Sequence, residues 1–276
     1  MNTDLKELVK AKYGEIAGQS LSQNLSSCCG ATACCGTEVL TVMADDYSTL
    51  KGYNPDADLG LGCGLPTEFA KIKEGDTVVD LGSGAGNDCF VARQITGSSG
   101  KVIGIDFTEG MILRARENTE KLRYNNVEFR LGDVEEIPVT SGVADVVISN
   151  CVLNLVPDKP KVFSEIFRVL KQKSHFSISD IVLEGELPEN MKEAVEFYAG
   201  CVSGAIQKNE YLDIIKTTGF VNIEVQKEKK IVIPDSILLQ YISQRELLQW
   251  KNSGTRIYSL TVYGEKPCCE PGSGCC

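Results

Sequence analysis

Cysteine is the residue this chain uses most unusually: twelve in 276 positions, beside a single histidine, His175. Thiolates select soft, thiophilic ions. One histidine leaves too little material for a histidine-rich metal site or a Ser-His-Asp triad. Three cysteines stand singly where a fold would aim them. Cys63 lies in Gly62-Cys63-Gly64-Leu65-Pro66, Cys151 follows Ser149-Asn150 at the end of an apolar run, and Cys201 lies in Ala199-Gly200-Cys201-Val202-Ser203-Gly204. A cysteine taken alone is more often a small buried hydrophobe than a ligand. Position alters that for Cys151, since packing gives no reason to end a strand there. Cys89 lacks such a position and reads as packing.

The other cysteines are vicinal: Cys28-Cys29, Cys34-Cys35, Cys268-Cys269 and Cys275-Cys276. Adjacent thiols are poorly placed to share one tetrahedral ion, and Cys-x-x-Cys, the mark of a zinc store, does not occur. The pairs Cys34-Cys35, Cys268-Cys269 and Cys275-Cys276 have two readings, loose capture of a thiophilic ion or accessory thiols on flexible segments. His175 reads as a loop residue in the turn before a strand.

A second constellation is built on glycine. Asp80-Leu81-Gly82-Ser83-Gly84-Ala85-Gly86 follows the strand-like run from Thr77 and precedes a helical pattern. Glycines at 82, 84 and 86 let the backbone turn sharply and approach a ligand. Asp106 ends the next strand, at the distance expected of an acceptor for ribose hydroxyls. Gly132-Asp133-Val134 ends the third strand, where Asp133 is placed to accept from the amino group of adenine.

These residues need a scaffold, and the hydrophobic pattern supplies one. Strands are expected at 77–81, 101–106, 127–131, 144–149 and 176–181, with helices at 87–96, 109–122 and 158–170 between them. Such alternation implies a parallel sheet covered on both faces, with ligands at the carboxyl ends of the strands. A helix is expected at 4–19 and a polar loop at 20–37. Beyond the fifth strand come a helical stretch at 189–218 interrupted near Cys201, strands at 221–233, a helix at 235–252 and a last strand at 256–264.

Length allows one large domain or a core with a smaller addition. The expected division is an N-terminal cysteine-containing arm (1–62), a cofactor-binding domain (63–185), a C-terminal α+β domain (186–265) and a mobile cysteine-rich tail (266–276). The balance of 28 basic against 38 acidic residues, net −10, argues against nucleic acid and against anionic membrane surfaces. No apolar run reaches the ~18 residues of a membrane span, and the first residues lack the apolar core of a signal peptide. A cytoplasmic protein is expected, with its thiols reduced.

The glycine spacing differs from that of dinucleotide-binding folds and resembles the first motif of the S-adenosylmethionine-dependent methyltransferases. With Cys63, the run Ser149-Asn150-Cys151-Val152-Leu153-Asn154-Leu155-Val156-Pro157-Asp158-Lys159 and Cys201, the chain resembles the bacterial and archaeal arsenite methyltransferases from about residue 7 to 265. Tyr13-Gly14-Glu15-Ile16-Ala17 followed by Cys28-Cys29 fits that family as well.

The resemblance implies a class I, Rossmann-like methyltransferase sheet with S-adenosyl-L-methionine as cofactor and thiol-bound trivalent arsenic as substrate. It places arsenic ligands on Cys151 and Cys201, with Cys63 as third ligand or redox partner and Cys28 or Cys29 as a further redox cysteine. Asp80, Gly82, Ser83, Gly84 and Gly86 would form the cofactor loop. Asp106 would bind ribose, Met111 would pack on adenine, Asp133 and Val134 would meet the adenine edge, and Asn150 would lie beside the amino-acid end. The implied partners are arsenite or its thiol conjugates and a thioredoxin- or glutathione-type reductant. Two departures stand out: Lys171-Gln172-Lys173-Ser174-His175 replaces a Lys-Pro-Gly-Gly turn, and Leu61 replaces an aromatic residue two positions before Cys63. The competing readings are a methyltransferase of a small organic substrate, which leaves the three cysteines idle, and a cysteine-based metalloid-binding protein, which needs no cofactor.

Overall fold

In the computed structural model, residues 2–19, 45–193, 202 and 204–268 are described. The chain opens with helix α1 (Asn2–Ala17), and a short helix α2 (Pro66–Phe69) precedes the sheet. The core then alternates: β1 (Thr77–Leu81), α3 (Asn87–Thr96), β2 (Lys101–Asp106), α4 (Glu109–Leu122), β3 (Val127–Leu131), β4 (Ala144–Asn150), a single 3-10 turn (Leu153–Leu155), α5 (Lys159–Val169) and β5 (Leu170–Glu184). There follow α6 (Glu189–Glu193), α7 (Lys208–Thr218), β6 (Val221–Ile231), α8 (Asp235–Leu238), α9 (Gln244–Ser253) and β7 (Arg256–Glu265).

The seven strands form one sheet in the order β3-β2-β1-β4-β5-β7-β6. The first five are parallel, and β7 runs antiparallel to both β5 and β6. The inner strands are near-continuous apolar runs, as strands covered on both faces must be. One face packs under Val162, Phe163 and Ile166 of α5 with Tyr211 and Ile215 of α7. The other packs under Phe90 and Ala92 of α3 with Met111, Ile112 and Ala115 of α4. A third cluster forms where β5 and β7 extend past β4, and it holds Cys63, Cys151, Ile181, Leu183, Leu238 and Ile257. The C-terminal stretch 186–265 thus adds β6 and β7 to the same sheet.

The α/β sheet expected from the alternation, and the Rossmann-like class implied by the resemblance, are what the structure shows. Three local expectations need correction. The fifth strand begins at Leu170, six residues early, where it pairs with Ala144 of β4, and it runs on to Glu184, because β7 offers it a partner from His175↔Glu265 to Glu184↔Arg256. His175 is accordingly a strand residue and not a loop residue, and its Nε2 lies 2.6 Å from the Ala70 carbonyl. The helix expected over 235–252 is two helices. Ser243 breaks it as the cap of α9, its hydroxyl taking the Glu246 N–H while the Glu246 carboxylate takes the Ser243 N–H. This reciprocal cap satisfies donors that a continuous helix would have used internally. The stretch 189–218 carries α6 and α7 at its two ends, as expected, and residues 194–201 and 203 between them lie outside the described residues. Cys28, Cys29, Cys34, Cys35, Cys201, Cys269, Cys275 and Cys276 lie outside the described residues. Among the described residues no helix is long and apolar enough to cross a membrane.

Candidate active site

A pocket opens at the carboxyl ends of β1, β2 and β4, where a parallel sheet leaves its crevice. Its lining includes Asp80, Gly82, Ser83, Gly84, Asp106, Met111, Asp133, Val134, Asn150 and Cys151. Nearly the whole expected cofactor set is therefore brought together, and Gly86 closes the loop just behind it as the first residue before α3.

The loop after β1 turns on Gly82, at φ 67°, a left-handed conformation. A Cβ there would stand 2.2 Å from Val152 Cγ2, so only glycine lets the two strand ends approach. The loop is pinned from β2: Ser83 N–H donates to the Ile105 carbonyl at 2.9 Å and Gly84 N–H to Asp106 Oδ2 at 3.0 Å. The other Asp106 oxygen takes the Thr108 N–H at 2.8 Å. Asp106 thus shapes the loop as well as facing the pocket.

Three buried carboxylates converge here. Burial, with the Asp88 charge beside it, pushes Asp80 well above the ordinary carboxylate range. Burial raises Asp106 as well, against the backbone N–H groups that favour its charge. Asp88, in the first turn of α3, is pushed up to about 6 by burial, against hydrogen bonds from Tyr47 and Asn150. Carboxylates crowded without a cation are unstable as anions, and a positively charged ligand relieves them. The sulfonium and ammonium of S-adenosylmethionine have that sign. Asp88 Oδ1 and Ser83 Oγ are buried without a hydrogen-bond partner, the mark of polar groups awaiting a ligand. The residues present fit the cofactor.

Asn150 joins this pocket to Cys63. Its Oδ1 accepts the N–H of Cys63 at 3.0 Å and of Gly64 at 3.2 Å. Its Nδ2 lies 2.8 Å from the Gly64 carbonyl and 3.2 Å from Asp88 Oδ2, and also bonds the Tyr47 hydroxyl. Tyr47 in turn donates to Asp88 at 2.8 Å. Gly62 has no room for a side chain, since a Cβ would meet Asn150 Nδ2 at 2.6 Å.

Cys63 is wholly buried and Cys151 nearly so. Both belong to the cluster above β5 and β7. Cys151 alone of the two lines the pocket. It sits at φ 61°, unusual for a residue with a Cβ, and its N–H donates to the Ser179 carbonyl at 2.8 Å. Among the described residues no three metal-ligating side chains form a cluster. Cys89 is buried in the core, and its thiol donates to Asp80 at 3.2 Å. Burial and that carboxylate push the Cys89 thiol well up, which leaves it inert.

Asp133 is engaged differently from the expectation. Its carboxylate pairs with Lys6 of α1 at 2.7 Å, and Lys6 also bonds Glu135. Helix α1 therefore covers the end of the pocket next to β3, where Lys6 and Tyr13 line it. Asp88, Tyr47 and Lys6 were missed in the sequence. For Asp88 a signal existed, because a helix that follows a glycine loop presents its first turn to the ligand. Tyr47 and Lys6 reach the site only through tertiary contacts. Leu61 does line the pocket, while Tyr13 and Tyr47 bring aromatic rings to it from elsewhere.

Comparison with known proteins agrees with this geometry. The methyltransferase-domain family matches residues 72–219. An arsenite methyltransferase of Halobacterium salinarum is 36% identical over 96% of this chain and 67% of its own length. Another, from Aquipseudomonas alcaligenes, is 30% identical over 96% of this chain and 75% of its own. Among solved structures, an arsenic(III) S-adenosylmethionine methyltransferase from Chlamydomonas reinhardtii superposes with a TM-score of 0.64 at 30% identity, covering 85% of this chain and 74% of that one. On likeness of this extent, the chain belongs to the arsenite methyltransferase family.

Proposed function

We propose that this protein transfers methyl groups from S-adenosyl-L-methionine to trivalent arsenic held by cysteine thiolates. The observation that carries the reading is the placement of two buried cysteines, Cys63 and Cys151, on either side of Asn150 at the edge of a pocket lined by buried carboxylates. A methyltransferase of an organic substrate has no use for them.

The cofactor would lie against the Gly82–Gly86 loop, with Asp106 and Met111 at the nucleoside and Asp88 and Asn150 at the amino-acid end. Bound there, it supplies an electrophilic methyl group on a positively charged sulfur. Cys151 and Cys201 are the arsenic ligands in this reading, with Cys63 the third ligand or redox partner. Arsenic held by three sulfurs keeps its lone pair and carries no proton, so the attack needs no general base. A site with one distant histidine is then no obstacle to catalysis. What the residues contribute is chiefly placement, worth several kcal/mol when reacting atoms are held at near-attack distance.

Methylation withdraws two electrons from arsenic, and these must be returned for another cycle. Two protein thiols supply them by closing a disulfide, Cys63 and one of Cys28 and Cys29 being the pair this reading favours. A thioredoxin- or glutathione-type donor reopens it by thiol–disulfide exchange. Arsenite or its thiol conjugate is the entering substrate.

The test is product analysis with arsenic-specific detection. Purified protein is incubated with arsenite, S-adenosylmethionine and a thiol reductant, beside Cys151→Ser and Cys201→Ser. Methylated arsenic from the wild type and a loss of about a hundredfold or more in each variant is the expected result. Unchanged turnover in both variants would sink the ligand assignment while leaving the family intact.

A further inference from the structure

Asp180 has no part in the steps above, yet it is wholly buried in β5. Its Oδ1 takes the Ile181 N–H at 3.1 Å, and its Oδ2 lies 3.4 Å from the Tyr211 hydroxyl. The backbone N–H of Leu153 also faces the carboxylate, and the Lys159 charge bears on it. Leu153 opens the 3-10 turn directly after Cys151. The strand touches this turn twice more. The Ser179 carbonyl takes the Cys151 N–H at 2.8 Å, and the Ile181 carbonyl takes the Asn154 side-chain amide at 2.6 Å.

Ser179 and Ile181 of β5 therefore hold residues 151 and 154 by hydrogen bonds, and Asp180 between them faces the N–H of Leu153. The left-handed backbone at Cys151 persists because this grip imposes it. Ser179 and Ile181 contribute carbonyls that any residue would offer. Asp180 alone contributes a side chain. Its second arm reaches Tyr211 of α7, ten residues beyond Cys201 in the chain. Tyr211 is also buried.

We propose that Asp180 is a positioning residue of the arsenic site: it fixes the Cys151 turn through Leu153 and ties α7 to that turn through Tyr211. The Cys151 thiol is thereby held in one place for arsenic. The proposal rests on Cys151 and Cys201 being arsenic ligands. Partners one bond removed from a ligand commonly alter affinity by about tenfold to a hundredfold.

The experiment titrates arsenite into wild type, Asp180→Asn, Tyr211→Phe and Cys151→Ser, followed by near-ultraviolet arsenic–thiolate absorption. Affinity for S-adenosylhomocysteine is measured on each by calorimetry, and methylation kinetics on the first three. The expected result is arsenite affinity weakened about tenfold or more in Asp180→Asn and Tyr211→Phe, with the KM for arsenite raised and kcat nearly kept. Cofactor affinity should stay within about twofold of wild type. Unchanged arsenite affinity in both variants, with Cys151→Ser impaired, overturns the proposal alone. Parallel loss of arsenite and cofactor binding overturns it too, making Asp180 a general support of the fold. Normal arsenite binding by Cys151→Ser overturns the ligand reading and the proposal with it.

Discussion

At the scale of single residues, Asp88 shows how the pocket trades stability for recognition. Burial pushes its pKa up to about 6, while Tyr47 and Asn150 favour the charged form. In the free protein its stabilising contribution is complete below the ordinary carboxylate pKa and is lost as pH rises through about 6. A cation in the pocket reverses that preference, so binding expels the proton in this range. Affinity for S-adenosylmethionine should therefore fall by about tenfold from pH 7 to pH 5. In Asp88→Asn the profile should be flatter, and binding weaker at pH 7. Calorimetry across that range checks it, and a flat wild-type profile would exclude Asp88 from the contact. The residues readable in the sequence, Asp80, Gly82, Asp106 and Met111, sit at fixed offsets from strand ends. Asp88 and Tyr47 were hidden because one opens a helix and the other lies in an irregular stretch without periodicity. Asp133 was located, but its pairing with Lys6 spans 127 residues and leaves no local trace.

At the scale of elements, the turn between β4 and the 3-10 helix is held from β5 by hydrogen bonds at Cys151 and Asn154. Cys151 holds a backbone conformation that glycine adopts freely and other residues adopt at a cost of about 1 kcal/mol. Cys151→Gly and Cys151→Ala should both lose methylation. Chemical denaturation should find the glycine variant the more stable of the two by about 1 kcal/mol. Equal stabilities would mean that the surrounding bonds store no strain there. The parallel core was legible because apolar runs bounded by glycine and alternating with helical patterns admit few arrangements. The start of β5 was not, because Lys171-Gln172-Lys173 is polar and reads as a turn. It becomes strand because Leu170 pairs with Ala144 of β4 and the Lys173 N–H finds the carbonyl of Lys266, the residue after β7, far along the chain. The split between α8 and α9 was legible in principle, in Ser243-Gln244-Arg245-Glu246, but the apolar periodicity on either side obscured it.

At the scale of the whole molecule, the final strand is the one that completes the sheet. β7 lies between β5 and β6 and pairs with both, so the fold depends on its last described element. A chain ending at residue 255 should lose its cooperative melting transition, which circular dichroism against temperature would show. A sharp transition in that fragment would mean that the first five strands stand alone. Asn150 has a wider reach than a single contact. One side chain bonds the loop that carries Cys63 and the Asp88 carboxylate that lines the pocket. Whatever one occupant does to that amide, the other must feel. The factor by which arsenite tightens or loosens cofactor binding is then equal to the factor by which the cofactor changes the grip on arsenite. Such mutual dependence lets the protein favour having both occupants present over holding either by itself.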